Sequence, residues 1–228
     1  MDVRNTLIFG TMYLRNEYHV EVVNMWADLI RKKGVDWLLI DSASPIARLN
    51  KLDRYIKPHI ISFAYNIGHL SMNGHDGWGR AFCKGIDKAI RECYDYVVHI
   101  ESDLLFRGSI LEELEDMVYQ DEHAIAPRLT VIAGDTPRLE TGLMFMEMEY
   151  LRTIDFIQQY DWTITQRIPR PEARIASILG NSWEWPFRGG RNDRGDFNNT
   201  PLNEIDYLTH ADIQMMRGFK ESCDSQSS

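Results

Sequence analysis

Nowhere in the sequence do about eighteen apolar residues run together, so a membrane-spanning helix is not expected. The amino terminus, MDVRNTLIFG, lacks a basic region followed by a long apolar core, which argues against a secretory signal. There is no polybasic block either. Twenty-five lysines and arginines stand against 34 aspartates and glutamates, a formal charge of −9, which disfavours non-specific attraction to nucleic acid or to an anionic bilayer. Cysteine is scarce: Cys83, Cys93 and Cys223 show neither CxxC nor zinc-type spacing, and they read as reduced thiols of a cytoplasmic protein. Internal repeats and low-complexity linkers are absent. What is present, 44% apolar and 26% charged residues over 228 positions, suits one main globular domain over residues 1–220 with a polar, frayed tail at 221–228.

Strand-like and helix-like segments alternate, which predicts an α/β fold with a mostly parallel central sheet and helices on both faces. Residues 6–14 read as a first strand. Asn16 is placed to cap a helix to about Lys33, with Val20, Val23, Met25, Ala27 and Ile30 on its apolar side and Gly34 ending it. Residues 36–41 and 59–64 read as the second and third strands, and the polar stretch 66–77 as a loop. Trp78, Phe82, Ile86, Ala89, Ile90 and Cys93 recur at helical spacing over 77–93. Beyond the next strand, 95–100, a helix is expected at 109–119, strands at 122–130 and 139–146, and helices at 147–160 and 171–179. The Gly-, Asn- and Pro-rich segment 186–203 reads as a long loop that orders on ligand binding.

The strand at 95–100 ends in two carboxylates one residue apart. A period of 2 puts His99, Glu101 and Asp103 on one side. A buried strand has no structural use for charge at its carboxyl end, whereas a site there can use it to hold a divalent cation against a substrate's phosphates. The alternative is a pair of solvated acids that open the next loop.

GRAFCKGIDKAI at 79–90 followed by YDYVVHIESDLLF at 94–106 resembles the helix-strand-DxD run of nucleotide-sugar-dependent glycosyltransferases of the GT-A fold. LLIDSASP at 38–45 is similar to the second strand of that fold, where an acid contacts the nucleoside; by position this is Asp41. The resemblance implies a Mn²⁺ or Mg²⁺ cofactor held by Asp103, with Glu101 either a second ligand or a contact to sugar or ribose. It also implies His210 as a nitrogen ligand, which would suit Mn²⁺ better than Mg²⁺. Thr11, Asp41, Arg80, Glu101, Ser102 and Arg191 are the implied donor-binding residues. The partners are a nucleotide-sugar donor, most readily a UDP-sugar, and a carbohydrate or glycolipid acceptor.

Other constellations have bland alternatives. Arg80 in a first helical turn either reaches the donor or is a solvated helix residue. Arg188, Arg191 and Arg194 among glycines either close over a diphosphate or form a solvated loop. Trp183, Trp185 and Phe187 either face an acceptor sugar or pack in the core. For an inverting reaction Glu172, at the start of a helix, is the candidate base, with Glu140 and Glu184 as alternatives; its other reading is a helix-start acid. Two rival functions stay open. A sugar-1-phosphate nucleotidyltransferase would carry a Gly-rich basic loop after the first strand, which GTMYLRNE at 10–17 is not. A non-catalytic nucleotide- or carbohydrate-binding module would need no metal carboxylates.

Overall fold

The computed structural model describes residues 2–68, 75–129, 138–163, 171–180, 184–185, 189–191 and 200–226. In chain order, β1 (Thr6–Met12) leads to α1 (Glu17–Ile30), β2 (Asp36–Asp41), α2 (Ile46–Leu49) and β3 (Ile60–Ser62). Then come α3 (Gly77–Arg91), β4 (Tyr96–Ile100), β5 (Leu104–Phe106), α4 (Ile110–Tyr119) and β6 (Ala124–Leu129). β7 (Arg138–Leu139), β8 (Leu143–Glu147), α5 (Met148–Thr153), α6 (Phe156–Gln159) and α7 (Pro171–Leu179) follow. The chain closes with β9 (Glu184–Trp185), β10 (Gly189–Arg191), β11 (Tyr207–Thr209) and α8 (Ile213–Gln226).

Local chemistry accounts for the helix starts. The Asn16 side chain accepts the His19 N–H at α1, Asp76 accepts that of Gly79 at α3, and Ser109 accepts that of Glu112 at α4. After α1 a short 3₁₀ turn ends at Gly34, whose φ of 76° suits glycine. Along β1, alternate residues enter two different cores. Ile8 packs with α1, α4 and α8, whereas Leu7 and Phe9 pack with α3, α5, α6 and α7. Helices therefore cover both faces of one sheet, as the alternation of elements requires.

The described strands form a mixed sheet in the order β3-β2-β1-β4-β8-β6-β7, with β9 beside β6. β3, β2, β1 and β4 run parallel, and β8 is antiparallel to β4. The chain order of the parallel strands reverses between β1 and β4, so their carboxyl ends splay at a topological switch point. A second, three-stranded sheet, β10-β11-β5, leaves from this end.

Several expected elements differ. The 139–146 strand is two pieces, Arg138–Leu139 and Leu143–Glu147, separated by the Glu140–Gly142 turn. The helix expected over 147–160 breaks at Asp155, which has a positive φ of 48°. Residues 221–226 are not a frayed tail: they continue α8, because Phe219 and Cys223 are buried against α1 and β5. Within the loop expected at 186–203, residues 189–191 form β10, parallel to β11, and 192–199 lie outside the described residues. Among the described residues no helix is long and apolar enough to cross a membrane.

Candidate functional site at the switch point

The ends of β1 and β4 are held together by the backbone of the acidic triplet. Ser102 N–H donates to the Thr11 carbonyl at 3.3 Å, Glu101 N–H donates to the Gly142 carbonyl at 2.8 Å, and a turn closes with Leu104 N–H on the Glu101 carbonyl. The strand alternation expected through Asp103 therefore stops at Ile100, and the turn re-aims Asp103 away from the His99 side of β4. Close packing makes this possible. A Cβ on Gly10 would lie 2.9 Å from the Ile100 carbonyl oxygen and 2.9 Å from the Trp26 ring, whose N–H donates to the same carbonyl.

The small sheet brings the late segment to Asp103. β11 runs antiparallel to β5 with Thr209 opposite Leu104, so the next residue outward on each strand, His210 and Asp103, meet at the same end of the ladder. β10 runs parallel to β11 with Arg191 beside Thr209, placing Arg191 in register at that end as well. His210 has a positive φ of 51°, and the chain is fixed just beyond it where the Tyr18 hydroxyl donates to the Ala211 carbonyl at 2.8 Å. Burial, reinforced by the charges of Asp103 and Asp212, pushes the Tyr18 phenol up to about 12, so it remains a donor at neutral pH.

His19, in the first turn of α1, belongs to this end and was not singled out in the sequence. Burial lowers its pKa, opposed by the Asp103 charge and helped by Arg15, Arg48 and His210. Its Nδ1 lies 2.7 Å from the Asn16 side-chain oxygen. The only available signal was the helix start itself, since nothing local connects residue 19 to residues 103 and 210.

A divalent cation fits this end. Asp103 Oδ1 is buried without a hydrogen-bond partner among the described residues, an acceptor with an unmet demand. Among those residues no three His, Cys, Asp or Glu side chains form a ready cage. One or two protein ligands suffice where phosphate oxygens and water complete the shell.

On the other side of β4, His99 is fully buried and ties β4 to β1 and to the turn before β8. Its Nδ1 lies 2.6 Å from the Thr141 carbonyl and its Nε2 3.3 Å from Thr11 Oγ1. Burial lowers its pKa to about 3 although the Thr141 bond opposes this, so the ring is neutral, with Nδ1–H donating and Nε2 accepting from the threonine hydroxyl. Thr11, an implied donor contact, thus turns its hydroxyl inward. Two carboxylates approach Gly142 of the adjoining turn: a Cβ there would lie 3.2 Å from Glu140 Oε1 and 3.3 Å from Glu101 Oε2. Glu140 is only 3% exposed, and its Oε1 accepts the Gly142 N–H at 3.1 Å.

Asp41 is fully enclosed at the end of β2. Both its oxygens accept the Ser44 N–H at 3.1 Å, and Oδ1 also accepts the Ser44 hydroxyl, while Ser44 Oγ accepts the Leu14 N–H. The carboxylate implied as a nucleoside contact therefore fastens the loops after β1 and β2. Arg80 lies beside the end of β3: its guanidinium is 3.8 Å from the Phe63 ring centroid and donates to the Tyr65 carbonyl at 2.7 Å, and its Nε is buried without a partner among the described residues. It is a packed residue, not the solvated one of the bland reading, and burial lowers its pKa.

The candidate bases separate. Glu172 is in the first turn of α7, half-buried, with Oε2 enclosed and without a partner among the described residues. Glu184 stands on β9 beside Ala126 of β6. Ser102 is buried in the triplet turn. Trp183, Phe187, Arg188 and Arg194 lie outside the described residues.

In sequence, no protein family and no curated protein matches the chain. In structure it is similar to the galactosyltransferase LgtC in complex with donor and acceptor sugar analogues, with 12% identity over 96% of this chain and 95% of that one and a TM-score of 0.57. It is also similar to the glycosyltransferase GlyE of Streptococcus pneumoniae TIGR4, with 13% identity over 96% of this chain and 59% of that one and a TM-score of 0.58. A third likeness is to the mannosyltransferase PcManGT of Pyrobaculum calidifontis in complex with GDP-Man and Mn²⁺, with 12% identity over 80% of this chain and 54% of that one and a TM-score of 0.52. The chain has the GT-A type of fold found in glycosyltransferases.

Proposed function

We propose that the chain is a metal-dependent glycosyltransferase that moves a sugar from a nucleotide diphosphate sugar, with a UDP-sugar the first to test, to a hydroxyl of a carbohydrate or glycolipid. The observation that carries this reading is the β5–β11 register, which sets His210 beside an Asp103 whose Oδ1 lacks a partner among the described residues, at the switch point of a glycosyltransferase fold. Asp103 and His210 would hold Mn²⁺ or Mg²⁺, which supplies Lewis-acid neutralisation of the diphosphate leaving group. Glu101 faces the same end from the Gly142 side and contacts either the ion or the donor. Arg80, pinned by Phe63 and Tyr65, offers a fixed cation to the donor. Ser102 and Thr11 shape the floor by their backbone bond, Asp41 sets the loops around the nucleoside through Ser44, and Arg191 approaches from the small sheet.

If the anomeric centre is inverted, Glu172 is the base. It is half-buried in the first turn of α7, whereas Glu140 is enclosed and holds its own turn. Glu184 remains an alternative on β9. No disulfide involves Cys83, Cys93 or Cys223, which supports a reducing, cytoplasmic setting. Donor hydrolysis and transfer measured across UDP-, GDP- and other nucleotide sugars, with and without Mn²⁺, test the proposal. Metal-stimulated turnover of one donor is expected. Pyrophosphate exchange with a sugar 1-phosphate would support the nucleotidyltransferase, and binding without turnover would support the module.

A further inference from the structure

We propose that His99 is a positioning residue that sets the Glu140–Gly142 turn against the acidic end of β4, and so fixes where the Glu101 carboxylate stands relative to the donor. The role assigned to Glu101 rests on the glycosyltransferase reading; the geometry does not. One imidazole joins Thr11 on β1 to the carbonyl of Thr141, whose neighbour Gly142 bonds in turn to the triplet: it accepts the Glu101 N–H and donates its own N–H to Glu140. The ring has little freedom to move. Its centroid lies 4.8 Å from that of Phe9, 5.0 Å from Phe82 and 5.6 Å from Trp78. An aliphatic or aromatic core residue would fill this space at less desolvation cost, so a buried imidazole with both nitrogens bonded serves to fix register between strands that packing alone would leave free to slip. The Thr141 link matters most, because the turn is short, carries Glu140 and accepts the Glu101 N–H at Gly142, so a shift of Thr141 moves both carboxylates.

The test uses the full chain with His99→Phe, which keeps the aromatic packing and removes both hydrogen bonds, and His99→Gln, which keeps a donor and an acceptor. In His99→Phe, sugar transfer is expected to fall at least tenfold, with nucleotide affinity unchanged within about threefold. Amide hydrogen exchange at Glu101 and Gly142 should speed up at least tenfold, and His99→Gln should recover part of both losses. In the wild type, ¹⁵N imidazole shifts should show a protonated Nδ1 and a bare Nε2. Unaltered exchange at Glu101 and Gly142, wild-type transfer in His99→Phe, or the opposite tautomer would overturn the proposal. Should His99→Phe not fold, Thr11→Val, which replaces the hydroxyl by a methyl group and so removes the bond to Nε2, is read by the same exchange and transfer measurements. If the wild-type chain transfers no sugar from any donor, the glycosyltransferase reading fails, and the exchange and tautomer measurements still decide the role of His99.

Discussion

Asp103 and Asp41 are both acids at strand ends, and their surroundings separate them. Asp103 makes no hydrogen bond through its buried Oδ1 among the described residues, so Asp103→Asn removes charge without breaking a native contact at that atom. Turnover should fall about a hundredfold or more while the melting temperature stays within a few degrees. Full turnover of the wild type in excess chelator would contradict a metal role. Asp41 is enclosed and doubly bonded to Ser44, so under the proposed function it would act on a nucleotide only through the turn. Asp41→Ala and Ser44→Ala should weaken UDP binding by similar factors, and the double variant should weaken it no further. Calorimetric titration decides this: a loss with Asp41→Ala and none with Ser44→Ala would return the carboxylate to direct contact. In the sequence both residues announced themselves by ending apolar runs. Which of them had a spare oxygen was not legible, because that depends on whether a turn partner folds back within three residues.

Among the elements, α8 governs the position of His210, since it begins three residues later and packs on α1. Asp28 of α1 lies 2.9 Å from Lys220 and also bonds Arg31 and Lys32, while Asp224 bonds Lys32 and Lys220. Although burial opposes it, hydrogen bonds from Lys220, Arg31 and Lys32 hold the Asp28 carboxyl well below its usual range. Asp28→Asn should lower the melting temperature by several degrees, a stability loss on the order of 1 kcal/mol, and should weaken metal-dependent donor binding. Differential scanning fluorimetry with and without UDP and Mn²⁺ separates these effects. A stability loss with no change in the ligand-induced shift would uncouple α8 from the site. The sequence suggested a frayed end here because Ser, Asp and Gln dominate 221–228. The buried stripe of Met216, Phe219 and Cys223 is too sparse to read without the partner helix.

At the scale of the whole molecule, the fold should be acid-sensitive through His99. The unfolded chain takes up a proton at this residue below about pH 6.5, whereas the folded chain resists until about 3. Between those values the unfolded state binds more protons, so stability falls as pH is lowered, by up to about 1.4 kcal/mol per pH unit from this group. Urea unfolding at pH 7, 6 and 5 should show that slope in the wild type and a flatter one in His99→Phe. Equal slopes would mean that His99 is not buried neutral. By itself the sequence determined the layered α/β plan, since the alternation of apolar periods, the Asn16 cap and the Gly34 stop are local signals that act within a few residues. It also marked Glu101 and Asp103, because charge at the end of a buried strand is locally anomalous. Only the tertiary structure decided that His210 and Arg191 share the Asp103 end of a second sheet, that His19 joins them and that His99 ties Thr11 to Thr141. Each of these depends on register between segments tens of residues apart, and register is set by packing of both cores against the sheet, which no local pattern encodes.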